Sequence, residues 1–224
     1  MNEAKDDFWW RALISVAYGS GLRRGEILNL IWADVDFESH RIRVAPKKET
    51  EMMLEWEPKD HENRVLPVPE EAMQLLADLQ ADSVEGVPCV FLPAWRWRRI
   101  QLMRSQGRWK KSQDLINNFG RNFHKLREKT GVAECTLHDL RRSCITNRAK
   151  VLPIHVVQKL AGHSDIKTTQ KYYLAVQEED LEIARQVQSK ILQSNLTDPK
   201  LTHSSQKRHS RKKLPDVSGR QPKT

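Results

Sequence analysis

Cysteine is scarce in this chain, with only Cys89, Cys135 and Cys144 among 224 residues. They are too few and too scattered for a disulfide framework, which leads us to expect a reducing, cytoplasmic setting. No apolar run approaches the roughly 20 residues of a membrane span, and the N-terminus lacks a signal-peptide pattern. No internal repeat of useful length is present. A zinc centre would have to rest on Cys135 and His138, which do not make a complete ligand set, so neither metal nor cofactor is expected. Surplus positive charge is missing from most of the chain as well. The net charge is +9, but residues 198–224 hold eight Lys or Arg against two Asp, leaving the body only mildly basic. Net charge is therefore weak evidence for a nucleic-acid partner. From about Leu196 the composition turns to Ser, Lys, Arg, Pro and Gln without periodicity. Residues 196–224 read as a basic, disordered tail with a nonspecific role on nucleic acid.

What remains is patterned. Residues 8–18 have the spacing of a buried amphipathic helix that stops at Gly19-Ser20-Gly21. Residues 22–32 continue as a second helix with Leu22, Ile27, Leu28 and Ile31 on its apolar stripe. Arg23 lies at its first turn, where it is either an anion ligand or a solvated helix start. The period then changes to two: residues 41–44 and 64–68 read as antiparallel strands with one buried face. Lys59 lies near the tip of the turn-rich segment between them, and the bland reading of a lysine there is a solubilising hairpin. Helices follow over 70–82, 115–129 (closed by Gly131) and 177–193, the last acidic at its start as the helix dipole prefers. The fold class is mainly α with a small antiparallel β-sheet, an α+β domain.

Between residues 95 and 111, Trp95, Trp97 and Trp109 are interleaved with Arg96, Arg98, Arg99, Arg104, Arg108, Lys110 and Lys111. Basic and aromatic side chains so mixed can grip phosphates and sugar or base edges, and seven cations here have few acids to pair with. The competing reading is a Trp core with a solvated Arg rim.

Residues 136–173 hold the densest chemistry. Thr136 is an N-cap with Asp139 in a capping-box position, and the helix it starts places His138 and Arg141 one turn apart. Pro153 opens the next helix, Gly162 ends it, and Ser164 caps a third that carries Tyr172 and Tyr173. Two imidazoles, a guanidinium and a tyrosine nucleophile are parts for phosphoryl transfer on a polynucleotide. No one of them is specific alone. His-x-x-Arg occurs four times, at His40/Arg43, His61/Arg64, His124/Arg127 and His138/Arg141. Tyr172 taken singly reads as a packed surface tyrosine, and His163 as a cap.

Four blocks in order carry more. SGLRRGEILNLIWADVD (20–36), PKDHENRVLPVP (58–69), LHDLRRSCIT (137–146) and LAGHSDIKTTQKYY (160–173) together resemble the catalytic domain of the tyrosine recombinases, the phage-integrase family. The family carries its first catalytic arginine directly after Gly-Leu, which here is Arg23. Its hairpin lysine stands five residues before an Arg that is three before a Pro; Lys59 keeps that spacing, and Lys47 and Lys48 do not. Its second histidine precedes the nucleophile by nine positions, which gives His163 and Tyr172.

The resemblance implies catalytic roles for Arg23, Lys59, His138, Arg141, His163 and Tyr172, with Glu26 orienting the arginines. It implies a recombinase or integrase that cleaves and rejoins double-stranded DNA through a 3′-phosphotyrosyl intermediate, without metal or ATP. The implied partner is DNA, held in a homotetrameric synapse whose protomers exchange their last helix. Type IB topoisomerase chemistry and a DNA-binding remnant of an integrase are the alternatives. The family usually places a helical DNA-clamping domain first. Here the catalytic pattern begins within ten residues of Met1, so the expected layout is a catalytic domain over 1–195 without that clamp.

Overall fold

The computed structural model describes residues 3–59, 63–110, 115–116, 118–173 and 178–197. Residues up to Leu174 form one compact unit, and the final helix belongs to a second that is described by itself.

Helix α1 (Glu3–Ser20) buries Ala12, Leu13, Val16 and Ala17 against the main core. Near its start Trp9 packs edge-on to Phe91 at 5.9 Å, and Trp10 sits 5.5 Å from Phe119. Large aromatics packed this way carry much of the burial energy of a small core. The expected second helix is cut short. Helix α2 (Arg24–Leu28) ends after five residues, and a 3₁₀ turn follows at Trp32–Asp34. Tertiary pairing overrides the helical pattern there: Val90 N–H donates to Leu30 O at 2.9 Å and Trp32 N–H to Pro88 O at 2.9 Å. The apolar stripe Leu22, Ile27, Leu28 and Ile31 is nevertheless buried as its spacing requires.

Strands β1 (Val35–Asp36), β2 (Arg41–Val44) and β3 (Arg64–Pro67) form an antiparallel sheet in that order, with Ile42 opposite Leu66 and Val44 opposite Arg64. Ile42, Val44 and Leu66 face the core. Beyond β2 the chain folds back on itself, pairing Lys47 with Trp56. Lys47 is buried there, 2.8 Å from the Asp34 carboxylate and over the Trp56 ring.

Helix α3 (Glu70–Ala81) packs on α1. Helix α4 (Ala94–Ser105) follows Pro93 and builds a satellite core from Trp97 and Ile100 with Leu115 and Ile31. Helix α5 (Phe119–Thr130) starts four residues later than the pattern predicts. The chain reaches it through Asn118 at φ 62°, a left-handed residue that a helix beginning at Leu115 would exclude. Gly131 closes it at φ 67°.

Helix α6 (Leu137–Ala149) has the expected capping box: Asp139 Oδ2 accepts from Thr136 N–H at 2.9 Å and Thr136 Oγ1 at 2.7 Å. Helix α7 (Ile154–Ala161) starts after Pro153 and ends at Gly162, φ 63°. Helix α8 (Ile166–Gln170) is capped by Asp165, whose carboxylate accepts from Lys167 N–H at 2.9 Å, and not by Ser164. It ends before the tyrosines, so Tyr172 and Tyr173 lie on the turn that follows it. Helix α9 (Glu178–Thr197) stands in the second unit. Among the described residues no helix is long and apolar enough to cross a membrane.

Candidate active site

The last carbonyls of an α-helix have no donors of their own, and they carry the negative end of its dipole. At the end of α7 three consecutive ones are each taken by a different guanidinium. Arg64 Nε donates to Leu160 O (3.2 Å), Arg141 Nη2 to Ala161 O (2.6 Å) and Arg23 Nη2 to Gly162 O (2.5 Å). The end of α1 is treated alike. Arg148 donates to Gly19 O and Ser20 O, both at 3.0 Å, and Arg141 Nη1 to Gly21 O at 2.6 Å. Arg141, 3 % exposed, therefore ties the ends of two helices together.

Glu26 holds the arginines in register. Its carboxylate lies 3.1 Å from Arg23 Nη1 and 2.6 Å from Arg64 Nη2, and it also accepts the Arg23 backbone N–H at 2.7 Å. Burial pushes its carboxyl up the pH scale, but Arg64, with Arg23 behind it, holds the pKa below the ordinary value. Burial pushes Arg141 the other way, down to about 10, helped by Arg23 and Arg64 and opposed by Glu26 and Tyr172. Three guanidiniums around one carboxylate leave two positive charges over. Arginine cannot shed its proton near neutrality, so the excess attracts an anion with several oxygens, as a phosphodiester has.

His163 follows Gly162 directly. Its Nε2 lies 3.3 Å from Arg141 Nη2 and its Nδ1 3.0 Å from Thr169 Oγ1. Its backbone is clamped by Gln158, which donates from Nε2 to His163 O and accepts the His163 N–H. The Tyr172 ring stands 6.3 Å from the imidazole, tilted by 20°, against Ile145, Val157 and Ala161. Tyr173 is engaged elsewhere: its hydroxyl donates to Leu152 O at 2.7 Å, and burial raises its pKa.

The structure thus brings together Arg23, Arg141, His163, Tyr172 and Glu26. Lys59, exposed on the turn after Pro58, and His138, exposed on the first turn of α6 while Arg141 one turn later is buried, make no hydrogen bond to that cluster among the described residues. Of the basic residues at 96–111, Arg98, Arg99, Arg108 and Lys110 are exposed. Arg96 is buried and donates to Leu115 O at 2.8 Å. Arg104 donates to Thr50 O at 2.7 Å and Glu51 O at 2.9 Å, fastening α4 to the β2–β3 connection. Lys111 lies outside the described residues.

Arg64 is the residue that sequence reasoning missed. It served there to mark the spacing of Lys59 and as one of four His-x-x-Arg pairs, with no role of its own at the site. The signal was present: strand alternation puts Arg64 on the same face as the core residue Leu66, with Val65 on the other.

Gly162 is needed at the centre of this cluster. Besides its left-handed φ, a Cβ there would lie 3.0 Å from Arg64 Nη1 and 3.3 Å from Arg23 Nη1. Gly162→Ala is expected to destabilise the fold by about 1–2 kcal/mol from backbone strain alone. A shift in the urea midpoint at unchanged slope would register it.

A model described as the phage integrase family matches residues 1–179. Among curated proteins, tyrosine recombinase XerA of Pyrococcus furiosus is 25% identical over 169 residues, covering 75% of this chain and 51% of that protein. Tyrosine recombinase XerA of Thermococcus kodakarensis is 31% identical over 164 residues, covering 72% and 49%. The chain spans about half the length of the curated relatives it matches. Two solved structures share the fold. XerA recombinase does so at TM-score 0.56 and 24% identity, covering 83% of this chain and 58% of that one. The Tn1549 transposon integrase, in complex with transposon right end DNA, does so at TM-score 0.55 and 20% identity, covering 84% and 65%.

Proposed function

The chain belongs to the phage integrase family, and from that premise we propose that it is a site-specific recombinase that cuts and rejoins double-stranded DNA through Tyr172. The observation that carries this reading is the convergence of Arg23, Arg141, His163 and Tyr172 from separate chain segments onto the end of α7.

In this mechanism Arg23 and Arg141 fork the non-bridging oxygens of the scissile phosphate, whose charge grows as phosphorus becomes five-coordinate. Tyr172 Oη attacks phosphorus. The Oη–P bond forms as the bond to the 5′ oxygen breaks. His138 takes the tyrosine proton, and Lys59 gives a proton to the departing 5′ oxygen. Both are exposed without DNA and reach the reacting atoms in the complex. His163 hydrogen-bonds the phosphate. The 3′-phosphotyrosyl link conserves the bond energy, so a 5′-hydroxyl from another strand reverses the step with no need of ATP.

Helix α9 supports assembly. Ile183 and Val187, four residues apart on one helical face, are both more than half exposed. In a tetrameric synapse this face docks on the next copy, so that protomers exchange their last helices. Exposed Arg98, Arg99, Arg108 and Lys110 contact the DNA backbone.

The test is covalent capture. Pooled random-sequence duplexes, nicked so that the cleaved fragment diffuses away, are incubated with the protein in EDTA. An adduct resistant to denaturing detergent is expected. Joining of two duplexes marks a recombinase, whereas relaxation of supercoiled plasmid without joining would reassign the chain as a topoisomerase. DNA binding with no adduct would mark a remnant.

A further inference from the structure

Each ring nitrogen of His163 faces a polar side chain, and one arrangement of the ring hydrogens serves both of these contacts. A guanidinium has five N–H donors and no acceptor, so Arg141 Nη2, 3.3 Å away, gives its hydrogen to His163 Nε2. That nitrogen must offer a lone pair. In a neutral ring the single hydrogen is then on Nδ1, where Thr169 Oγ1 stands 3.0 Å off to accept it. A doubly protonated ring would set an N–H against that of Arg141, inside a cluster that already holds three guanidiniums.

Thr169 is fully buried, so its hydroxyl has no competing water. It also occupies a telling place on α8. Its carbonyl accepts the Tyr172 backbone N–H at 3.0 Å, so one residue holds both the imidazole of His163 and the turn that bears the tyrosine. The neighbouring Thr168, on the same short helix, makes no such bond to the ring among the described residues.

We propose that Thr169 is a positioning residue. Together with Arg141 it fixes His163 as the Nδ1–H tautomer, and it turns Nε2 toward the arginine cluster and locks that ring to the Tyr172 turn. The effect on strand cutting rests on the proposed recombinase activity, whereas the tautomer does not.

The experiment reads both on the full 224-residue chain. Long-range ¹H–¹⁵N spectra of DNA-free protein labelled at histidine report which ring nitrogen carries hydrogen, with His163 assigned by its loss in His163→Gln. Wild type and Thr169→Ser are expected to show His163 as one neutral tautomer protonated at Nδ1. Thr169→Val, nearly the same shape without the hydroxyl, is expected to lose that single pattern. An Nε2–H ring in wild type, or an unaltered pattern in a folded Thr169→Val, would overturn the assignment. If the valine variant does not fold, wild type and Thr169→Ser still decide it.

Covalent capture is the second readout. Thr169→Val is expected to slow it about tenfold, as for a lost buried hydrogen bond, with Thr169→Ser close to wild type. Equal rates in all three would refute the positioning role. No capture by any of them, wild type included, counts against the recombinase reading, and the spectra then judge the tautomer alone.

Discussion

Tyr172→Phe is expected to abolish covalent capture of DNA while leaving DNA affinity almost unchanged. The substitution removes one oxygen, and that oxygen is the proposed nucleophile. It does not alter the arginine cluster that would hold the phosphate, so only an interaction made in the transition state is lost. Tyr173→Phe is the control. Its hydroxyl donates to Leu152 O rather than facing His163, so its loss should cost about 1 kcal/mol of stability and leave capture intact. Capture that survives Tyr172→Phe and vanishes with Tyr173→Phe would exchange the two roles. Gel separation of adduct from free DNA, beside a filter-binding curve for each variant, reads both quantities at once.

Glu26→Gln should produce the largest loss of stability, about 3–5 kcal/mol, because it leaves the buried Arg64 guanidinium without its counter-charge. The pH dependence has a definite sign. Glu26 is held below its ordinary pKa of 4.5 in the folded chain, so its contribution is fully present above that value. It is lost as pH falls through the lower, folded value. The gap in urea midpoint between wild type and Glu26→Gln should be constant near neutrality and narrow below about pH 4.5. A gap that stays flat into that acid range would show that Glu26 is not the anchor of the arginines. Glu26→Leu with Arg64→Leu removes both charges together, and only part of the lost stability should return, because no Arg64 charge is left buried alone but Arg23 and Leu160 O each lose a partner.

The parts of the fold that were legible in the sequence are those fixed by local chemistry. Thr136 and Asp139 cap α6 because the Asp139 carboxylate takes both the backbone N–H and the hydroxyl of Thr136 three residues back. Gly131 and Gly162 end helices because each adopts positive φ. The strands at 41–44 and 64–67 followed from alternation. Pairing at a distance was not legible. Residues 22–32 have a helical stripe throughout, yet residues 88 and 90 claim the backbone at Leu30 and Trp32 and stop the helix. Arg96 and Arg104 look like the rest of their basic run, and only the folded chain shows that their guanidiniums serve carbonyls of residues 115, 50 and 51. The candidate site divides in the same way. Motif order picked out Arg23, Arg141, His163 and Tyr172, which the fold gathers. The burial of Arg64 beside Glu26 required a reading of strand phase as well as of spacing.

The capping of α7 by distant arginines also bears on how the chain comes to fold. The bonds that assemble the centre join residues 139, 120 and 96 positions apart. Loops of that length close late, after local helices and hairpins have formed. As the chain leaves the ribosome, α1, the sheet and α3 emerge with Arg23 and Arg64 already present, but the carbonyls they grip have not yet been made. The arginine centre is therefore among the last features to appear in synthesis or refolding, and a half-made molecule carries the arginines without the grip that aims them.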